Sequence, residues 1–424
     1  MGRPAAAQRV DVEANASVNV GFSQTTQNAF QTDPAAQPAD VPQSSKSLLF
    51  TELRPGIAAA SGTPRLTWLA AYVFAGTLNF VDESGATYSN AANASLAAQL
   101  TKFTTLTFTA QASQGGTSFQ LSQRAADAGQ PQLRAPGNPN QVSGSLAESL
   151  AWEIGKHVAL QHTLVGAINA PQDNLGELNT AVTATVGIDR VFERDTIGAE
   201  ARAGVAWLQP LQAQTAPYKS LTSSALARWN HDFTPNWGGS VSAGAEEVYI
   251  DTGSRPLAFL PSGSANLRYT LGDIAGAVNV SHGTATNLQV GSVSLTDQIT
   301  AHGIVTLDSR ESRVLSFSAG FLRATPLGDV SPLIAAGTGD AVQGDAGFTT
   351  RLAKNVLGSA RYSVAYQFNQ GGGLSPTLAH IFFVGVTGSL RNTERPLRPS
   401  PLRGQRVDGT DARGFPVVED APTP

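Results

Sequence analysis

A chain of 424 residues with a net charge of -4 and a pI near 5.9 is too acidic for a nucleic-acid scaffold, which excludes nucleic acid as a partner. It has no cysteine, so disulfides and thiol chemistry are excluded, and no stretch approaches the roughly 20 continuous apolar residues of a membrane helix. Apolar and polar residues instead alternate from end to end, with no clear domain boundary before about residue 390, a pattern that favours one large closed sheet.

Residues 1–9 precede the first pattern, and Pro4-Ala5-Ala6-Ala7-Gln8 reads as the small-residue end of a cleaved secretion signal, so the chain is expected to start near a mature terminus. The first strand sets Val10, Val12, Ala14, Ala16, Val18, Val20 and Phe22 on one face and Asp11, Glu13, Asn15, Ser17 and Asn19 on the other. A polar loop over 26–45 leads to a second strand near 48–59, with Glu52 and Arg54 on its polar face. Ser61-Gly62-Thr63-Pro64 makes a short turn into 66–80, where Trp68, Ala70, Tyr72, Phe74 and Leu78 alternate with small or polar residues. A hairpin over 94–112 turns at Lys102-Phe103, and the longest internal loop follows at 113–141, carrying Arg124, Asp127 and Arg134. A loop of that length is commonly functional. Strands at 142–154 and 158–168 flank Gly155-Lys156-His157, and 178–188 ends at a turn over 192–195.

The pattern is clearest between 196 and 251. Ile197, Ala199, Ala201, Ala203, Val205 and Trp207 alternate with Glu200, Arg202 and Gly204. Leu221, Ala225, Ala227 and Trp229 then oppose Arg228 and Asn230, and Val241, Ala243, Ala245 and Tyr249 oppose Ser240, Ser242 and Glu246. Each run is about ten residues or more, against five or six in a typical globular strand, a length that suits a tilted strand crossing a bilayer. After a loop near 252–262 come strands at 264–271 with Arg268, 274–280, 293–307, 314–321, 342–352 with Asp345 and Arg351, 357–368 with Arg361, and 379–390. The expected fold is therefore an all-β, up-and-down transmembrane antiparallel β-barrel over 10–390, of about 18 strands with 16 as the alternative, in which short turns alternate with long loops. Residues 391–424 carry Arg395, Arg398, Arg403, Arg406 and Arg413 among prolines without alternation and read as a disordered tail.

Aromatic placement supports a membrane. Trp68, Trp152, Trp229 and Trp237 lie near short turns, while Trp207, Tyr249 and Tyr366 lie near long loops, forming two expected interfacial girdles. The opposite face, with Glu13, Glu52, Arg54, Glu200, Arg202, Arg228, Glu246, Arg268, Asp345, Arg351 and Arg361, is expected to line a wet lumen of balanced charge. The same residues also suit a structural ladder of cross-strand pairs, and the sequence leaves both readings open. Glu247 and Asp297 fall on the lipid face by parity, which implies either contact with headgroups or a bulge that shifts the register. The six histidines form no His-Glu-x-x-His motif, and neither a nucleophile elbow nor a phosphate loop is present, so no catalytic residue, metal or cofactor is assigned.

These alternating strands, asymmetric connections and aromatic ends resemble the Gram-negative outer-membrane β-barrels, porins in particular, over about 10–390. The strand count also resembles the 18-stranded barrel components of polysaccharide export machineries. The resemblance implies an integral outer-membrane location, contact with outer-membrane lipid and lipopolysaccharide, and insertion by the barrel assembly machinery. It also implies a third external loop, here 113–141, that folds inward to narrow the pore. The expected function is a non-enzymatic channel for polar solutes or a hydrated polysaccharide, with Arg124, Asp127 and Arg134 in the constriction. The alternatives are an anchoring barrel whose residues 391–424 bind periplasmic export partners or peptidoglycan, and an outer-membrane enzyme.

Overall fold

The computed structural model describes residues 10–391 apart from 29–42, 64, 81–85, 117–139, 173, 210–216, 252–256, 289–290, 309–312, 328–338 and 369–375. Its elements are all strands. The first half comprises β1 (Asp11–Asn28), β2 (Gln43–Thr63), β3 (Leu66–Asn79), β4 (Ala86–Thr101), β5 (Thr104–Gly116), β6 (Asn140–Gly155), β7 (Val158–Pro171), β8 (Asn179–Val191) and β9 (Asp195–Leu208). The second comprises β10 (Tyr218–Thr234), β11 (Trp237–Ile250), β12 (Leu257–Leu271), β13 (Ile274–Asn287), β14 (Ser292–Thr306), β15 (Arg313–Pro326), β16 (Gly339–Ala353), β17 (Val356–Phe368) and β18 (Thr377–Arg391).

Each strand pairs antiparallel with its sequence neighbours, and β1 pairs with β18 from Glu13↔Arg391 to Gln27↔Thr377, which closes a single 18-stranded barrel. Short connections join β2 to β3, β4 to β5 and so on around one rim, and both ends of the described chain lie at that rim. Closure gives every strand a hydrogen-bonded neighbour on each side, which leaves the sheet no terminal edge strand, the condition a β-structure must meet in lipid.

Side-chain parity separates two surfaces. Outward positions carry Val18, Val20, Leu53, Ile57, Val182, Val186, Val241, Val278, Val280, Phe382, Val384 and Val386, all substantially exposed because lipid would cover them. Inward positions carry mostly small and polar residues together with the buried charges Glu52, Asp189 and Glu246. This is the architecture of an integral outer-membrane β-barrel, with the short turns on the periplasmic side and the long loops outside. Adjacent positions midway along β11 test the assignment. Ala243→Arg, on the lipid face, is expected to destabilise the barrel by about 2–4 kcal/mol, and Ser242→Arg, on the lumen face, by roughly 1 kcal/mol or less. Denaturant unfolding in vesicles measures both, and equal losses would contradict the facing.

Small apolar clusters occupy the inner wall near the long-loop rim instead of a central core. One joins Phe50 of β2 to Ile381 and Phe383 of β18, and another gathers Ala206, Leu208, Val248, Ile250 and Val293.

Candidate pore and constriction

The inner wall from β7 to β10 is organised around Arg228. Its Nη1 donates to Glu200 Oε2 at 2.8 Å, and its Nη2 donates to the two carboxylate oxygens of Asp189 at 2.8 and 2.9 Å. Gln161 donates to Asp189 at 3.0 Å, and Arg202 donates to Glu200 at 3.2 Å. Register explains the reach across two strands: Gly198 of β9 lies opposite both Arg228 and Asp189, and a Cβ there would stand 1.9 Å from Asp189 Oδ1. A glycine between the two charged side chains gives the pair its space.

The other predicted lumen charges also meet partners along the wall. Glu13 pairs with Arg391 at 2.8 Å, Arg268 with Asp232 at 2.6 Å, and Arg361 with Asp345 at 2.6 Å. Glu52, almost fully buried, accepts from Asn19 at 3.1 Å and lies 3.5 Å from Arg54. Arg351 is exposed near the short-turn rim. These charges stand on the inner wall, and most of them are tied in cross-strand pairs. Such a wall presents alternating sign at short range and little net field.

A second feature narrows the lumen. The β13–β14 hairpin turns inward at the long-loop rim and is held by three strands of the neighbouring wall. Asn179 Nδ2 of β8 donates to the Leu288 carbonyl at 2.8 Å, the Tyr218 hydroxyl of β10 donates to the Gly291 carbonyl at 3.0 Å, and Glu246 of β11 accepts from the Thr284 amide at 3.0 Å and from the Thr284 hydroxyl. Val293 packs into the apolar cluster of Leu208, Val248 and Ile250. Between the hairpin arms and the wall lies a cavity of about 470 Å³, lined by Arg202, Arg228, Ser242, Ser264, Ser281, Thr284 and Thr296 among others. Arg202, with half of its side chain exposed, is the cation most open to it.

The predicted constriction residues Arg124, Asp127 and Arg134 lie outside the described residues, as do 1–9 and the tail beyond 391. Sequence reasoning missed the infolded hairpin and its anchors Asn179 and Tyr218. One usable signal was Pro261, because a proline inside a strand marks a place where pairing stops. Trp152, Trp207, Trp229, Trp237, Tyr249 and Tyr366 are exposed on the outer face, where Trp68 is half-buried. Trp229 Nε1 donates to Asp195 at 2.9 Å beside His231, so its polar edge is satisfied at the short-turn rim. Glu247 and Asp297 keep their outward parity without a bulge, for the β10–β11, β13–β14 and β14–β15 registers run continuously through them. Asp297 meets His282 Nδ1 at 2.6 Å, and Glu247 accepts from the Ser223 hydroxyl at 3.5 Å.

The chain matches no protein-family model and no curated protein. Among solved structures it is similar to the outer-membrane protein OpdK of Pseudomonas aeruginosa, with 9% identity, a TM-score of 0.41, and coverage of 89% of this chain and 99% of that one. It is similar to OpdQ of the same organism at 10% identity and a TM-score of 0.42, covering 90% and 98% of the two chains. The ferric enterobactin receptor PfeA of that organism matches at 10% identity and a TM-score of 0.42, covering 89% of this chain and 80% of the receptor. Likeness at this level carries no inference about cargo, and the barrel assignment stands on the continuous strand register and the apolar outer face.

Proposed function

We propose that this protein is an outer-membrane channel for polar solutes, with the β13–β14 hairpin as its constriction. The observation that carries the reading is the cavity between hairpin and wall, lined by serine and threonine hydroxyls and by the neutralised Arg202–Glu200–Arg228–Asp189 network. Hydroxyl-rich cargo suits such a wall, from a free sugar to a hydrated polysaccharide chain. Ion pairing along the wall makes strong discrimination between anions and cations unnecessary to the design. Narrowing by residues 113–141 belongs to the same proposal, and no residue is given a catalytic role.

Swelling of proteoliposomes in isotonic sugars tests it. Monosaccharides should enter faster than in protein-free liposomes, with the rate falling through di- and trisaccharides as size approaches the width of the constriction. Absence of protein-dependent swelling with the barrel folded and inserted would overturn the reading. That result would favour an anchoring barrel instead, a reading supported by the extent to which paired charges and the hairpin fill one side of the lumen. Residues 391–424 would then be its partner-binding segment, and their deletion would abolish capture of a periplasmic partner or peptidoglycan.

A further inference from the structure

Among the described residues, β12 and β13 form the one neighbouring pair in which both strands run on for five residues or more past the end of their ladder. The ladder stops at Gly263↔His282, leaving 257–262 of β12 and 283–287 of β13 beyond it. Continued in register, Pro261 would face Thr284, but proline has no N–H to give, and the Thr284 amide turns inward to Glu246. Above this point β12 stays in the wall against β11 as far as Tyr249↔Leu257, while β13 leaves it for the lumen side, still paired with β14, which keeps its ladder to β15 as far as Ser294↔Pro326. The wall forks in the half of the barrel that faces the outer leaflet.

Two independent observations show what lines the fork. On the outside, lipid-facing positions around it carry Glu247, His282, Asp297 and Arg323, with Arg323 donating to Asp340 at 3.0 Å. Charges on the lipid face of a barrel are unfavourable, so a concentration of them on this sector marks a place where polar groups meet the membrane. On the inside, the cavity is lined by both lips of the fork, through Ser262 and Ser264 of β12 and Ser281 and Thr284 of β13. Apolar Val280, Ile299 and the highly exposed Phe259 adjoin the same sector.

We infer that the fork is a lateral port through which an amphiphile with an uncharged, hydroxyl-rich headgroup passes between the lumen cavity and the outer leaflet. The hydroxyls inside match such a headgroup. Outside, three carboxylates face one guanidinium and one imidazole, a balance that disfavours an anionic phosphate headgroup. The headgroup would follow the polar lips while the chain stays in the bilayer. This inference rests on the lumen being wet, as proposed above, but needs no solute to cross the whole barrel.

The chain has no cysteine, so a disulfide can be placed cleanly. A Cβ on Gly283 would lie 3.8 Å from Ser262 Cβ, the separation a disulfide requires. The probe is octyl maltoside below its micellar concentration, compared with maltose. In planar bilayers octyl maltoside should interrupt the current in short events that maltose does not produce. Oxidised Ser262→Cys/Gly283→Cys should lower their frequency at least about tenfold at unchanged open conductance, and reduction should restore them. Equal event frequency in the oxidised and reduced forms would overturn the port. A current-free reading separates failure of the port from failure of the channel. A fluorophore on Ser281→Cys should be quenched by an octyl maltoside brominated on its headgroup, and less by the equally brominated free sugar, even if the barrel passes no ions. An unquenched probe would overturn the port, whatever the conductance.

Discussion

Freeing the β13–β14 hairpin from the inner wall is expected to raise single-channel conductance by at least about twofold, since the hairpin occupies lumen that an 18-stranded barrel would otherwise leave open. The variant that does so combines Glu246→Ala, Tyr218→Phe and Asn179→Ala, which removes the acceptor at Thr284 and the donors to the Gly291 and Leu288 carbonyls. A hydrogen bond to a charged group contributes about 1.5–3 kcal/mol and a neutral one about 1, so their joint loss is enough to move the tip from a held to a mostly released population. Glu246→Gln keeps an acceptor oxygen and should give a smaller rise. A variant that folds with unchanged conductance would show that the tip does not set the width of the pore.

Arg228→Leu is expected to have the largest effect on stability of any single lumen substitution. It leaves Asp189, whose side chain is only 8% exposed, without its cation, and Glu200, 12% exposed, with only the more exposed Arg202. Breaking a fully buried pair costs about 3–5 kcal/mol, and partial exposure to a wet lumen lowers this to about 2–3 kcal/mol here. The same change adds uncompensated negative charge to the path, so the surviving barrels should become several times more selective for potassium over chloride, to an order of magnitude. Arg202→Leu is the control: with half of its side chain exposed, it should cost less than about 1 kcal/mol. Denaturant unfolding and reversal potentials in a salt gradient read both effects. Equal stability losses for Arg228 and Arg202 would contradict the central place of Arg228 in the network.

The barrel itself was legible because period-two alternation needs only local sequence. Long runs such as Ile197 to Trp207 gave strand, facing and approximate length together, and the short turns gave the strand count. Positions on one face were legible too, but their pairing was not. Arg228 meets Asp189 only because Gly198 sits between them in register, and register depends on how strands stagger around the closed barrel. The sequence predicts a loop over 252–262, whereas β12 begins at Leu257. Phe259-Leu260-Pro261 breaks alternation and reads as a loop, and in the structure it is a strand that pairs on one side only over those residues. The hairpin was illegible for a different reason. Its anchors join residues 73 and 109 positions apart, and nothing in a period-two pattern encodes a contact across a lumen. The Glu246-Glu247 doublet was the local trace: one carboxylate holds the hairpin inside, and the other stands on the outer face beside the fork.

The most direct test of the central claim, a wet lumen narrowed on one side, is the single-channel conductance of the refolded protein in a planar bilayer, recorded beside the hairpin-released variant. The structure predicts discrete ion-conducting steps from the intact protein, weakly selective between potassium and chloride, and larger steps from the variant. Silence from both proteins, with folding and insertion verified in the same membranes, would contradict the channel and leave the barrel as an anchor.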